Sequence, residues 1–286
     1  MLELLSHQFV QNAFFVGTII AIVCAIVGYF VVLRQQAFAS HALSHIGFAG
    51  ATGAVLIGVS SLTGTFIFTV LAALGMGTLD KRLAGRDVEI GMVLSFALGL
   101  GILFLKIYTT NANEAVGILF GSILSVTSYD LIFSIITGTI TLLFVIFLFR
   151  PLLFASVDPE VAEARGVPVR LLSSIFMILL AATVTEAILI VGILLVFALL
   201  VAPAAIAQHL SKSPFLTILY SIFFGLFFTW GGLLLALLFH GPVSFFIAGL
   251  ASISYLVIVP LAHLISPHLY NTFYHSNREN KFNVEV

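Results

Sequence analysis

Long apolar runs, interrupted by short polar breaks, set the pattern of this chain. No Asp, Glu, Lys or Arg occurs between Ser213 and Asn277, and none between Gln35 and Leu79. Within runs such as 216–239 both odd and even positions are apolar. A membrane-spanning strand would alternate apolar and polar residues in short segments, so the pattern predicts helices. A spanning helix needs about 20 mostly apolar residues. Runs of that kind lie at about 12–33, 37–58, 60–80, 89–108, 130–150, 172–191, 192–210, 215–239 and 242–265. The breaks carry matching chemistry: a charged loop from Asp80 to Asp87, and a Gly241-Pro242 turn between the last two runs.

Basic residues orient the spans, because cytoplasmic loops are rich in Lys and Arg. Arg34, Lys81, Arg82, Arg86, Arg150, Arg165, Arg170, Lys212, Arg278 and Lys281 fall on one side of an alternating arrangement, with only Lys106 near the other. That requires the short segment 115–129, with Gly117 and Gly121, to stay on the outer side without crossing. The expected fold is an all-α integral membrane protein, a polytopic bundle of about 8–10 transmembrane helices. The preferred arrangement has nine spans and a cytoplasmic C-terminus. At the tight turnaround between Arg34 and His41, one broken helix is the alternative to two spans. The organisation is a transmembrane domain over 1–270 and a polar cytoplasmic tail over 271–286.

Composition sharpens this reading. Of 286 residues, 61% are hydrophobic and 8% charged, against roughly 25% charged in soluble domains. The net charge of −1 lacks the basic footprint of a nucleic-acid binder, so the expected surroundings are membrane lipid and protein. Cys24 is the single cysteine, so no intrachain disulfide forms; it reads as a small buried side chain, with metal ligation the alternative. Residues 1–12 hold Glu3 and no Lys or Arg, which lacks the positive start of a cleavable signal, so the first helix is expected to be retained.

Polar groups inside a membrane are costly, hence rare and often functional. His41 and His45 stand four apart in a charge-free helix, a spacing that puts both imidazoles on one face, with Ser44 beside them. Imidazole suits zinc, copper, iron and nickel; the plainer reading is a hydrogen-bonded interfacial pair. Gly47, Gly50, Gly53 and Gly58, with interspersed alanines, fit close helix packing. Glu186 lies alone in an apolar run and is expected to face inward or toward the outer interface, as a weaker third candidate for an ion path. Asn111, Asn113, Glu114 and Asp130 read as outer loop residues, His240, His263 and His268 as interfacial, and Trp230 as a packing or belt residue.

Two cytoplasmic segments are candidates for docking a partner. Asp158, Glu160 and Glu163 precede Arg165 and Gly166, the signature of a short helix with acids at its start and Arg-Gly at its end. The second runs from Pro203 through His209 and Lys212, and is the preferred main docking helix because it follows a span ended by proline. The chain has no Gly-x-x-x-x-Gly-Lys-Ser/Thr loop and no His-Glu-x-x-His, so ATP, if used, is hydrolysed by another subunit.

Three segments together resemble the membrane subunits of bacterial ABC importers for zinc, manganese or iron. Gly28 to Arg34 leads into Ser40-His-Ala-Leu-Ser-His-Ile-Gly-Phe-Ala-Gly50, similar to that family's Gly-Asp-Ala-(apolar)-Ser-His motif. Asp158-Pro-Glu-Val-Ala-Glu-Ala-Arg-Gly-Val-Pro168 is similar to its cytoplasmic Asp-x-Glu-x-Ala-x-Ala-x-Gly motif. Val191-Gly through Pro203-Ala-Ala205 resembles its Val-Gly-(apolar)-Pro-Ala-Ala signature. The resemblance implies a permease over 1–270, paired with a second copy of itself in a bacterial inner membrane. It also implies a cytoplasmic ABC ATPase dimer and an extracytoplasmic metal-binding protein as partners. No cofactor would be permanently bound; the divalent metal ion is cargo.

In that family the Asp and His of the first motif are implicated in the metal path. His45 matches the His, His41 stands at the Asp, and Ala49 replaces a Pro. Exchanging a carboxylate for an imidazole tilts the expectation toward zinc over manganese. The alternatives are a permease for an iron chelate and an intramembrane metalloenzyme; against the latter, no Glu lies between the histidines.

Overall fold

The computed structural model describes residues 7–78, 86–107, 121 and 123–265. Ten α-helices and one short 3-10 turn account for nearly all of them. They are α1 (Gln8–Leu33), α2 (Ala37–Leu56), α3 (Ser61–Thr78), α4 (Arg86–Ile107), the turn Ile123–Ser125, α5 (Ser128–Val157), α6 (Pro159–Ala164), α7 (Val169–Val191), α8 (Ile193–Leu210), α9 (Pro214–Phe239) and α10 (Val243–Ile265). Seven of these are long and apolar enough to cross a membrane by themselves. The other two long helices are α3, which is shorter, and α2, diluted by two histidines and three glycines.

Side-chain pairings fix the helix directions. Phe30 packs on Phe149 and Phe176, and Arg34 reaches Ser156 and Ser173. Seven or more residues earlier in α1, Ile19 and Val23 lie beside Gly138 and Glu186. Thus α5 runs parallel to α1, and α7 antiparallel. Thr69 meets Thr185 and Gly77 meets Ser174, so α3 opposes α7. Phe48 sits against Gly101 and Phe38 against Gly91, so α4 runs with α2. The end of α4 and the start of α5 therefore lie on the same side, while Gly117 and most of the segment between them lie outside the described residues. Among the described residues the long helices alternate in direction, and seven of them are long and apolar enough to cross a membrane.

The core is largely apolar. Phe30, Phe176 and Phe228 are among its largest fully buried side chains. Apolar rows of Ile136, Ile140, Leu143 and Phe147 on α5, and of Phe245, Ile253, Leu256 and Leu264 on α10, stay exposed. In hydrocarbon polar groups need internal partners, and Thr18, Ser44, Thr52, Thr65, Thr183 and Thr229 each donate to a carbonyl four residues back. Trp230 Nε1 donates to Thr18 Oγ1 at 3.0 Å, tying α9 to α1.

Several sequence expectations change. The run expected over 130–150 is longer, since α5 continues through Pro151 to Val157, held by buried Leu152 and Ala155. The run expected over 192–210 is α8, which passes through Pro203 to Leu210 with Pro203, Ala204, Ile206 and Ala207 buried, so the span is not ended by proline. The expected docking helix from Pro203 is therefore the last two turns of a span. A proline removes one helical hydrogen bond, and tertiary packing outweighs that loss here. Asp130 is no idle loop residue, since it closes a capping box with Thr127 at the start of α5. His240 is the left-handed cap of α9, at φ 53°. The 80–82 part of the charged loop, Asn111 to Glu114, His268 and the 271–286 tail lie outside the described residues.

Candidate functional site

The candidate site is built on α2. One face of this helix is sealed: Ala39, Ala42, Leu43, Ile46 and Ala49 are buried, and Gly47 packs against Ile188, Thr65 and Thr69. The glycines are required by close contact, because a side chain at Gly50 would strike the carbonyl of Gly64 on α3. Ser40 and Ser44 turn into the helix, donating to the carbonyls of Ala37 and Ser40. Ser44 is thus committed to the backbone and does not stand with the imidazoles.

His41 and His45 occupy the remaining face and are half-buried. Their rings lie edge to face, with centroids 4.6 Å apart and planes at 84°. Phe197 of α8 packs on His41 at 5.0 Å between centroids, so α2 and α8 together flank the pair. Two imidazoles at this distance present nitrogen donors of the kind transition metals accept. A closed four-coordinate site needs two further ligands. Among the described residues no three His, Cys, Asp or Glu side chains gather closely enough to hold a metal ion.

Glu186 does not join them. Its neighbours on α7 show the geometry: Thr185 bonds Thr69 of α3, and Ile188 faces Gly47 of α2. Glu186 turns instead toward α5, beside Gly138 and the hydroxyls of Ser134 and Thr137. It is 4% exposed, and both carboxylate oxygens are buried without a closed hydrogen bond.

The cytoplasmic candidates separate into two groups. Asp158 accepts a hydrogen bond from Val161 N–H at 3.0 Å and caps α6. Ala162 is buried against Ala155 and Leu172, which seats α6 on the ends of α5 and α7. Glu160, Glu163, Arg165 and Gly166 are exposed on its outer side, Gly166 at φ 80°. At the end of α8, His209 and Lys212 are exposed, whereas Pro203 is buried and presents no docking surface.

Two residues at the site were not singled out by sequence. Phe197 carries no sequence signal within its apolar run. Arg34 does: it is the only Asp, Glu, Lys or Arg between residues 4 and 79, yet it is 8% exposed.

Among the described residues, long apolar helices, seven of them able to cross a membrane, surround a polar pair on α2, the class of a polytopic helical membrane protein. The chain belongs to the ABC 3 transport family, whose profile matches residues 6–262. It is 34% identical over 211 residues to the manganese transport system membrane protein MntC of Halalkalibacterium halodurans, covering 73% of this chain and 72% of that protein. It is 33% identical over 216 residues to a Haemophilus influenzae protein named "Probable iron transport system membrane protein", covering 74% and 79%. Among solved structures, PsaBC from Streptococcus pneumoniae in complex with Fab superposes with a TM-score of 0.82 at 28% identity, over 95% of this chain and 97% of that one. The protein is a multi-pass bacterial membrane protein of an ABC transport system.

Proposed function

We propose that this chain is the permease subunit of an ABC importer for a divalent first-row metal ion, with His41 and His45 on the ion's path. The observation that carries the reading is the half-buried imidazole pair on α2, a polar feature that a purely structural helix in lipid would not keep. The names of the manganese and iron relatives support the metal class. Two copies of the chain, each offering one pair, would bring four nitrogens to a shared path, against the two that the described residues of one chain bring together.

The finer reading is zinc, because two imidazoles and no carboxylate favour it over manganese. Manganese is the second reading, favoured by the names of several relatives. ATP hydrolysis then belongs to a separate cytoplasmic ATPase dimer, docked on α6 through Asp158, Glu160, Glu163, Arg165 and Gly166, with His209 and Lys212 at its margin. An extracytoplasmic metal-binding protein would deliver the ion to the outer face.

The test is uptake into proteoliposomes containing the chain with its ATPase and binding protein, using zinc, manganese and ferrous iron in turn. ATP-dependent accumulation of one of them is expected. No accumulation of any, from a complex whose ATPase is active, would contradict the metal reading.

A further inference from the structure

Arg34 is a charged side chain held almost entirely inside the fold, a costly placement that structures keep for a reason. It is the residue at which α1 ends. Its guanidinium donates to Ser156 Oγ at 3.2 Å, near the end of α5, and to Ser173 Oγ on the first turns of α7. The same group lies 5.3 Å from the ring centroid of Phe176, a favourable cation–π placement. One side chain therefore grips both helices that α6 joins.

The next residue along the chain is strained. Gln35 sits at φ 56°, a left-handed conformation that non-glycine residues rarely adopt and that surrounding structure must hold. Gln36 N–H then bonds back to Val31, and Ser40 N–H to Gln36, so the start of α2 is built directly on this turn. His41 follows one residue later. On the other side, α6 is fixed to the ends of α5 and α7 by Ala155, Ala162 and Leu172. A continuous set of packed contacts thus runs from the exposed face of α6, through Ser156 and Ser173, to Arg34, the Gln35 turn and the imidazole pair.

We propose that Arg34 is a positioning residue that couples movement of α6 to the turn carrying His41 and His45. It touches neither ion nor nucleotide. This inference rests on the transport reading above and names the link between its two sites. The fork of the guanidinium suits the role, since it holds two helices at fixed angles where a Lys ammonium could not.

The experiment uses the complete complex in proteoliposomes. Zinc and manganese uptake, ATP hydrolysis and thermal stability are measured for wild type, Arg34→Gln, Arg34→Lys and the double variant Ser156→Ala with Ser173→Ala. Coupling predicts that ions moved per ATP hydrolysed fall by about fivefold or more in Arg34→Gln, with hydrolysis retained. Arg34→Lys and the double serine variant should show a smaller fall in the same ratio. An unchanged ratio, or uptake and hydrolysis falling together in step with stability, would overturn the proposal and leave Arg34 a structural anchor. If Arg34→Gln does not assemble, the serine variant decides, because it keeps the buried charge. Wild type that accumulates none of zinc, manganese and ferrous iron would refute the transport reading instead, so the two failures are distinguishable.

Discussion

Gly50 of α2 and Gly64 of α3 touch backbone to backbone: a Cβ added to either would overlap the carbonyl oxygen of the other. This crossing supports the helix that carries His41 and His45. In lipid such close approach by small residues is a main source of helix association. Gly50→Val and Gly64→Val should each destabilise the purified protein by about 1–3 kcal/mol or more, the usual range for overpacking. Gly99→Ala, whose added methyl group meets nothing within 4 Å, is the control. Thermal unfolding in detergent should separate them; equal stability of all three would show that the crossing is loose.

Gly192 forms the whole connection between α7 and α8, at φ 85° and ψ 158°. That backbone region is essentially restricted to glycine, at a cost of about 1–3 kcal/mol for other residues. Gly192→Ala should therefore lower the unfolding temperature, although the added carbon is small. Unaltered stability would mean that the reversal between α7 and α8 relaxes without strain.

Much of this architecture is legible in the sequence, for a physical reason. Lipid forces each span to be a long apolar helix, so the long helices stand out in the sequence by charge depletion. The i, i+4 spacing of His41 and His45 fixes their shared face before any tertiary contact is known. Proline is the misleading signal: Pro203 reads as the end of a span ahead of a docking helix, but burial of its neighbours carries α8 onward. Glu186 could not be placed from sequence, because which neighbour it faces depends on how α7 packs between α3 and α5. Phe197 was invisible for the same reason.

The exposed row on α6 leads to a prediction about docking. Glu160→Lys with Glu163→Lys reverses two charges on the exposed side of a helix that is anchored through Ala162. The permease should fold normally yet copurify poorly with its ATPase, a loss that pull-down at matched membrane abundance would read. Asp158→Ala should act differently, fraying α6 by loss of its cap at about 1 kcal/mol. If charge reversal leaves the ATPase fully bound, the partner docks elsewhere, and the His209 and Lys212 margin becomes the surface to test.

Glu186 faces α5 and not the imidazole pair. Glu186→Gln keeps its shape and should leave metal uptake unchanged, while Glu186→Lys, which buries a longer cation against Gly138 and Val23, should cut membrane abundance. Uptake abolished by Glu186→Gln at normal abundance would return this carboxylate to the ion path.

The central claim is that the half-buried pair on α2 handles the transported ion, and uptake by paired histidine variants tests it most directly. Metal accumulation is measured ion by ion in cells carrying His45→Ala, His41→Asp, or His41→Ala with His45→Ala, with the membrane abundance of each variant matched to wild type. The account predicts that His45→Ala and the double variant abolish uptake. His41→Asp should still transport, with preference moved toward manganese, because a carboxylate suits that ion better. Normal zinc and manganese uptake by the double variant would contradict the account and make the pair a packing feature of α2.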